Sequence, residues 1–461
     1  MAGFVMKTCT LALILLLSLA TLPASAQEAA KPSAVGTAGQ QVVQELVAGQ
    51  FDKIEARYDA RMAAALPSGK LAAGWASLIQ QTGAYQSTEA TRVDRAGEQD
   101  VATVTCRFQR AVLDARIAFD ADGKIAGISI RPHQEQPAPW NPPPYAKPES
   151  FIEQLLTLVN GKYELPGTLT MPNGDGPFAA VVLVQGSGPE DQDETIGGSK
   201  PFKDLAWGLA SHGIAVFRYI KRTAKYGTQV SDDPARLTVN DETISDARAA
   251  VSLVAKQPKI NPARVFLLGH SLGAYLAPRI ATGDSGIAGI IMLAANSQPM
   301  EQLVIEQIRY LASLNGPPNE QAQKEIQMAE ETAKQIESPD LKQGDNVPFL
   351  GTSSPASYWL DLRGYHPVST ALLLKIPILI LQGGRDYQVP MSNFQYWKSE
   401  LGKNKNVTLK LYPDLNHLFI AGTGPSTPQE YAKPGHADPA VVADIATWIT
   451  AAPPKNRRTG K

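Results

Sequence analysis

Arg264-Val265-Phe266-Leu267-Leu268-Gly269-His270-Ser271-Leu272-Gly273-Ala274-Tyr275-Leu276 joins an apolar run, a Gly-x-Ser-x-Gly pentapeptide and a second run of small and apolar residues. An unbroken stretch of Val, Phe and Leu reads as a strand buried on both faces. The small and apolar residues after the pentapeptide suit a helix packed closely on that strand. Ser271 therefore falls where a strand turns sharply into a helix, and such a turn exposes a serine hydroxyl at its tip. Gly269 and Gly273 let the two elements approach with no side chain between them. With 37 glycines in 461 residues, composition alone supplies roughly 0.2 such pentapeptides per chain. The motif gains weight only from its surroundings.

Outward from Ser271, apolar runs at 179–184, 213–219, 287–294, 378–381 and 407–412 alternate with helical stretches. That alternation predicts an α/β fold, a mostly parallel sheet covered on both faces. The interval between the runs at 287–294 and 378–381 breaks the rhythm. It carries two amphipathic helices, one with Leu303, Val304, Ile308 and Leu311, the other with Ile326, Ala329, Ala333 and Ile336. An insertion at this place, about 298–365, is expected to cap the strand ends where ligands bind in such sheets.

Upstream, residues 133–148 hold six prolines and mark a semi-rigid spacer. Before it, Val43, Leu46, Val47, Phe51, Ile54, Tyr58 and Met62 recur at helical spacing over 38–66, and a second short helix is expected over 69–82. Strand-like runs follow at 101–109, 111–119 and 124–131, the last two joined by Asp120-Ala121-Asp122-Gly123. The expected organisation is a signal peptide at 1–26, a small α+β accessory domain at 27–133 and a linker at 134–149. A sheet domain at 150–452 and a tail at 453–461 complete it. The accessory domain carries no constellation of His, Cys or carboxylates that suggests chemistry, and it offers a candidate surface for homodimerisation.

The formal net charge of −1, with Lys455-Asn456-Arg457-Arg458 as the one dense basic run, argues against nucleic acid as a partner. Lys7, the apolar stretch from Leu11 to Leu22 and Ala24-Ser25-Ala26 have the layout of a cleavable secretory signal. The apolar core is shorter than the ~20 residues a spanning helix needs, so a periplasmic or secreted protein without stable membrane insertion is expected. Of the two cysteines, Cys9 lies in the signal. Cys106, in an alternating apolar run, reads as a small buried hydrophobe with no disulfide partner.

A serine hydroxyl is a weak nucleophile and needs a base within hydrogen-bond reach. In sheets of this kind the partners follow the serine as acid, then histidine. Asp386 fits, just past the run Ile378-Leu379-Ile380-Leu381-Gln382 and inside Gly383-Gly384-Arg385-Asp386. His417 fits after the last strand, in Asp414-Leu415-Asn416-His417-Leu418-Phe419. The rivals are His366, in the cap beside Trp359 and Asp361, and Asp414, close to His417 in sequence. His270 is expected to pack within the elbow. For a developing oxyanion, the backbone N–H of Leu272 is one donor. A second is expected from Gly186 or Ser187 in the glycine-rich turn Gln185-Gly186-Ser187-Gly188-Pro189 after the run at 179–184. No Gly-Lys-Ser/Thr follows to make that turn a phosphate cradle. Glu190, Asp191, Asp193 and Glu194 read as turn and capping groups, with no matching His or Cys cluster for a metal.

With these residues, the chain from about 150 to 452 resembles the α/β-hydrolase superfamily. The resemblance rests on the Gly-His-Ser-Leu-Gly elbow, the Gly-Gly-Arg-Asp-Tyr-Gln-Val acid loop and the Asn-His-Leu-Phe base loop. Gln-Gly-Ser-Gly-Pro and its acidic continuation are similar to secreted bacterial dienelactone-hydrolase-like esterases and acyl hydrolases, whose members often carry a small uncharacterised N-terminal domain. Two departures stand out. Gln185 replaces a usual His, which leaves the backbone donors intact. Ile220-Lys221-Arg222-Thr223 replaces Asp-x-Arg-Gly, which places a change at the pocket rim.

The resemblance implies a serine hydrolase that cleaves carboxylic esters of small molecules through an acyl-enzyme, with no cofactor. Ser271 is the expected nucleophile, His417 the base and Asp386 the residue that orients it. Amide, peptide or thioester hydrolysis on the same residues is the nearest alternative. A non-catalytic envelope binding module is a more distant one. Tyr358, Trp359 and Tyr365 in the cap offer either substrate surface or cap core.

Overall fold

The computed structural model describes residues 34–96, 99–133, 140–283, 286–314, 316–349 and 352–454. The expected signal peptide, residues 134–139 of the spacer and 455–461 of the tail lie outside them. The chain divides into two compact units, one ending at Gln136 and the other beginning at Pro137.

The first unit contains α1 (Ala34–Val47), α2 (Phe51–Glu55), α3 (Ala60–Ala65) and α4 (Lys70–Thr82). After them comes an antiparallel meander of β1 (Tyr85–Ala96), β2 (Gln99–Phe108), β3 (Val112–Phe119) and β4 (Ile125–Pro132). The helical periodicity over 38–66 breaks into three pieces. Gly49, with φ of 70°, follows α1, and Asp59 caps α3 by accepting Met62 N–H at 2.6 Å. β1 was not expected as a strand. Its residues Gln86, Ser87, Thr88, Glu89, Thr91, Arg92, Asp94 and Arg95 are polar because it is an edge, open to water, so the apolar alternation that betrays a strand is missing. Val42, Val43, Leu46 and Ile54 pack on Ala102, Val104, Cys106 and Ile117. Burial and the Asp114 carboxylate push the Cys106 thiol up to about 11, so it packs as a neutral hydrophobe.

The second unit opens with β5 (Phe151–Leu155), β6 (Leu158–Asn160), β7 (Tyr163–Leu165) and β8 (Gly167–Pro172). It continues with β9 (Phe178–Val184), α5 (Pro201–Ser211), β10 (Ala215–Tyr219), α6 (Arg222–Tyr226), α7 (Ser245–Val254), β11 (Ile260–His270), α8 (Leu272–Ala281) and β12 (Ile287–Leu293). The insertion follows, with α9 (Met300–Ser313), α10 (Glu320–Glu337), the hairpin β13 (Asn346–Phe349) and β14 (Thr352–Pro355), and α11 (Ala356–Leu362); α12 (Pro367–Leu373) comes after it. β15 (Ile378–Gly383), α13 (Met391–Leu401), β16 (Val407–Tyr412) and α14 (Pro439–Ala451) close the chain.

Eight strands form one sheet in the order β16-β15-β12-β11-β9-β10-β8-β5. The six runs read from sequence are its parallel part, from β16 to β10, and β8 and β5 extend it antiparallel. Residues alternate between faces with the strand period of two. Val181 and Leu183 join α5 and α14 in one core layer, while Val182 and Val184 join α7, α8 and α13 in the other. Fully burying one such Val or Leu stabilises the fold by about 1.5–3 kcal/mol.

From β9 the chain moves to β10 on one side, then returns to β11 on the other. The loops after β9 and β11 therefore diverge, and a crevice opens outside their carboxyl ends, the usual ligand position in such sheets. Ser271, Asp386, His417 and the Gln185–Ser187 stretch all follow the carboxyl ends of parallel strands on that one edge.

Candidate active site

Ser271 joins β11 to α8 with φ of 53° and ψ of −115°, a conformation that costs a non-glycine residue about 1–3 kcal/mol. The strain is held by hydrogen bonds on both sides: Ser271 N–H to Leu293 O at 3.0 Å and Tyr275 N–H to Ser271 O at 2.9 Å. The flanking glycines are required by space. A Cβ on Gly269 would lie 2.2 Å from Gly273 O, and one on Gly273 would lie 2.2 Å from Val184 O. Leu272 begins α8, so its N–H has no intrahelical acceptor and shares the positive end of the helix dipole.

Asp386 and His417 meet at this edge. His417 Nδ1 lies 2.8 Å from Asp386 Oδ2, with both side chains buried. Asp386 Oδ1 accepts the N–H groups of Gln388 and Val389 at 2.8 and 2.9 Å, and Gln382 Nε2 donates to Oδ2 at 3.3 Å. The carboxylate is thus fixed by four partners. Asn416 shapes the histidine turn by accepting Leu418 and Ile420 N–H at 3.0 and 3.1 Å. Arg385 pairs with Glu430, and Glu430 also receives Asn416 Nδ2 at 3.2 Å, so the acid and base loops are cross-braced. The rivals sit elsewhere: His366 is exposed at the start of α12, and Asp414 is exposed with its backbone carbonyl bound to Gly422 N–H.

The base loop also touches the elbow. His270 Nε2 lies 2.9 Å from the His417 carbonyl oxygen, and the two imidazole rings are 4.6 Å apart. On its other side His270 Nδ1 stands 3.0 Å from Glu194 Oε2, an ion-pair distance at an angle outside hydrogen-bond geometry. Burial works against a charged His270. The Glu194 carboxylate, the His417 carbonyl and Asp386 more than offset it, and the group is pushed up to about 9 from 6.5. Because the folded value exceeds the ordinary one, the stabilisation is full below pH 6.5 and is lost as pH rises through about 9. The melting temperature should fall across that window. In Glu194→Gln, where no carboxylate holds the proton, the fall should flatten. Parallel melting curves for the two proteins would contradict the pairing.

The two oxyanion candidates in the turn after β9 separate. Gly186 N–H donates to Glu194 Oε1 at 2.7 Å. Gly186 is therefore corrected as a candidate donor, because its amide is already spent on a buried carboxylate. Ser187 N–H makes no hydrogen bond within the described residues. Gln185 turns its side chain away, donating to Tyr219 O. Gly186 also lies against the nucleophile, since a Cβ there would stand 3.3 Å from Ser271 Cβ. Of the acidic residues read as turn groups, Asp191 is one, accepting Asp193 and Thr195 N–H at 2.8 and 3.1 Å. Asp193 pairs with Arg218 and Lys200. Glu194 is not a turn group, and only long-range packing reveals its place. Burial and the Glu194 carboxylate push Glu190 up to about 7.

Lys221 and Arg222, expected at the pocket rim, are buried instead. Arg222 pairs with Asp246, and Lys221 lies behind the Gly186 turn. The insertion braces the site from two sides. From α9, Tyr310 stacks on Tyr387 at 5.2 Å and Gln307 Nε2 donates to Gln388 O at 2.7 Å, beside the acid loop. From α11, Tyr358 donates to Glu242 at 2.8 Å. Trp359 is buried in the core layer it shares with α7 and α8, and Tyr365 donates to Tyr275 O of α8 at 2.8 Å, so these aromatics are spent on joining the insertion to the sheet domain. Among the described residues no group of three or more His, Cys, Asp or Glu side chains is placed to hold a metal, and no helix is long and apolar enough to cross a membrane.

Residues 179–422, more than half of the chain, match the family described as serine aminopeptidase, S33. The chain belongs to this family of α/β-hydrolases. Residues 39–128 match a separate family of proteins of unknown function, DUF3887. Esterase EstD of Thermotoga maritima is 40% identical over 407 residues, covering 88% of this chain and 93% of the relative. Among solved structures, Est1E from Butyrivibrio proteoclasticus aligns at 15% identity over 64% of this chain and 99% of its own, with a TM-score of 0.42. The esterase domain of a Rhodothermus marinus protein aligns at 15% identity over 64% and 97%, with a TM-score of 0.39.

Proposed function

We propose that the protein is an exported serine hydrolase that cleaves carboxylic esters through an acyl-enzyme. The observation that carries this is the 2.8 Å Asp386–His417 pair on the same sheet edge as a serine held in a strained elbow, with the base loop tied to that elbow through His270. In this mechanism Ser271 Oγ attacks the ester carbonyl while His417 Nε2 takes its proton. Asp386 holds the imidazole by Nδ1 and offsets the charge it acquires. The N–H groups of Leu272 and Ser187 receive the oxyanion. His417 then returns the proton to the leaving alkoxide, and water repeats the sequence to release the acid. Ester in place of amide is supported by EstD, named an esterase and similar along almost its whole length. Export is supported by Lys7, the apolar stretch from Leu11 to Leu22 and Ala24-Ser25-Ala26.

The family description, serine aminopeptidase, favours a second class of substrate. The two are separated by comparing kcat/KM for p-nitrophenyl esters with that for aminoacyl p-nitroanilides. The proposal expects ester turnover to exceed anilide turnover by at least about 10³-fold, equal to a barrier difference of about 4 kcal/mol. Anilide turnover equal to or above ester turnover would transfer the site to peptide chemistry.

A further inference from the structure

We propose that Lys221 is the positioning residue of the oxyanion hole: it holds the Gly186 carbonyl so that the next amide, Ser187 N–H, is aimed at the substrate. This rests on the serine-esterase function proposed above and deepens it. A peptide group is planar and trans, so the Gly186 C=O and the Ser187 N–H lie in one plane and point in opposite directions. Fixing one fixes the other. Lys221 Nζ donates to Gly186 O at 2.7 Å, and Gly186 N–H donates to Glu194 Oε1 at 2.7 Å. Two successive peptide planes are pinned by buried side chains of opposite charge.

The turn needs such pinning. Residues 186–188 lie beyond the end of β9 at Val184, outside the sheet ladder, and two of the three are glycines. A glycine-flanked peptide rotates with little steric resistance. Rotated by half a turn, it would present a carbonyl oxygen, not an N–H, to the developing negative charge. The ammonium that prevents this is only 2% exposed, and an ion at that depth requires counter-charge. Glu242 Oε1 supplies it at 3.4 Å. Glu242 in turn receives Tyr358 Oη at 2.8 Å from α11 and Thr223 Oγ1 at 3.4 Å. A continuous run of polar contacts therefore leads from the insertion through Glu242 and Lys221 to the oxyanion peptide.

A lysine that merely packs the loop would matter equally to free and reacting enzyme. A lysine that aims a donor matters in the transition state. Lys221→Met keeps the length of the stem and deletes the ammonium. With p-nitrophenyl butyrate, kcat should fall about 10- to 100-fold while KM stays within about 2-fold, a loss short of that for deleting an oxyanion donor outright. Affinity for an alkylboronic acid, whose serine adduct carries the tetrahedral oxyanion, should fall by the same factor. In Lys221→Ala, added n-propylammonium should restore part of kcat. Should these variants fail to fold, Glu242→Gln withdraws the counter-charge and is expected to lower kcat and boronate affinity together. A folded variant in which both stay at the parent level, or in which KM alone moves, overturns the role of Lys221. A parent protein that neither turns over esters nor binds the boronate removes the esterase function itself, and this role with it.

Discussion

Replacing Ser271 by alanine is expected to lower ester turnover by at least about 10⁴-fold and to leave the melting temperature within about 2 °C of the parent. The two outcomes separate because the hydroxyl does nothing for the fold. Ser271 Oγ hydrogen bonds to none of the described residues, and the bonds that hold the elbow are made by its backbone. Alanine carries the same Cβ into the same φ of 53° and bears the same strain. Asp386→Asn should behave differently. An amide NH₂ must face either the N–H groups of Gln388 and Val389 or His417 Nδ1, so one donor is left opposing another. A loss on the order of 10³- to 10⁴-fold in kcat is expected, together with lower stability, because the carboxylate is buried. Steady-state kinetics on a p-nitrophenyl ester with thermal melts checks both. Full activity in Ser271→Ala would remove the serine from the mechanism.

Gly273→Ala is expected to destabilise the second unit by about 3 kcal/mol or more, and to abolish activity in whatever folds. A Cβ there would lie 2.2 Å from Val184 O and 2.8 Å from Gln185 O. Both obstacles are backbone, and both belong to β9 or the turn leaving it, in the middle of the sheet. Neither can yield as a flexible side chain would. Relief requires α8 to lift off β9, which opens the elbow and displaces the turn carrying Ser187. Thermal or urea unfolding reads the first effect. A variant with parent stability would show that the helix and strand are not packed at the distance described.

These three substitutions mark what the amino-acid sequence makes legible. Gly269, Ser271 and Gly273 are visible because the elbow is local: a buried strand, a tight turn and a close helix must be written within a dozen neighbouring residues. Asp386 is visible because it follows the strongly apolar β15, and His417 because it follows the last strand and the chain order restricts the choice. The inner parallel strands β9, β12 and β15 are near-continuous apolar runs, whereas the edge strand β16 alternates, with Thr408 and Lys410 between Val407, Leu409 and Leu411. β1 and β5 escaped because edge strands carry polar residues on their open side. The single helical pattern over 38–66 hid three helices, since periodicity does not register the break at Gly49. Glu194, Lys221 and Glu242 escaped for another reason. Glu194 and Lys221 are charged residues in loops and Glu242 lies in the helical turn Asn240–Ile244 that leads into α7, positions usually solvated, and only the packing of β9, β10 and the insertion buries them around Gly186. The same packing occupies the Gly186 N–H with Glu194 Oε1 and leaves the Ser187 N–H without a partner among the described residues, a difference between two successive peptide planes.

The central claim, that Ser271 is the nucleophile, is tested most directly by covalent capture. The purified protein is treated with a fluorophosphonate, digested with trypsin and mapped by mass spectrometry. The expected result is one adduct per chain, on the peptide Val265–Arg279 at Ser271, with ester turnover lost in proportion to labelling. Undiminished turnover in the fully labelled protein, or an adduct on any other residue that tracks the loss of turnover, would contradict it.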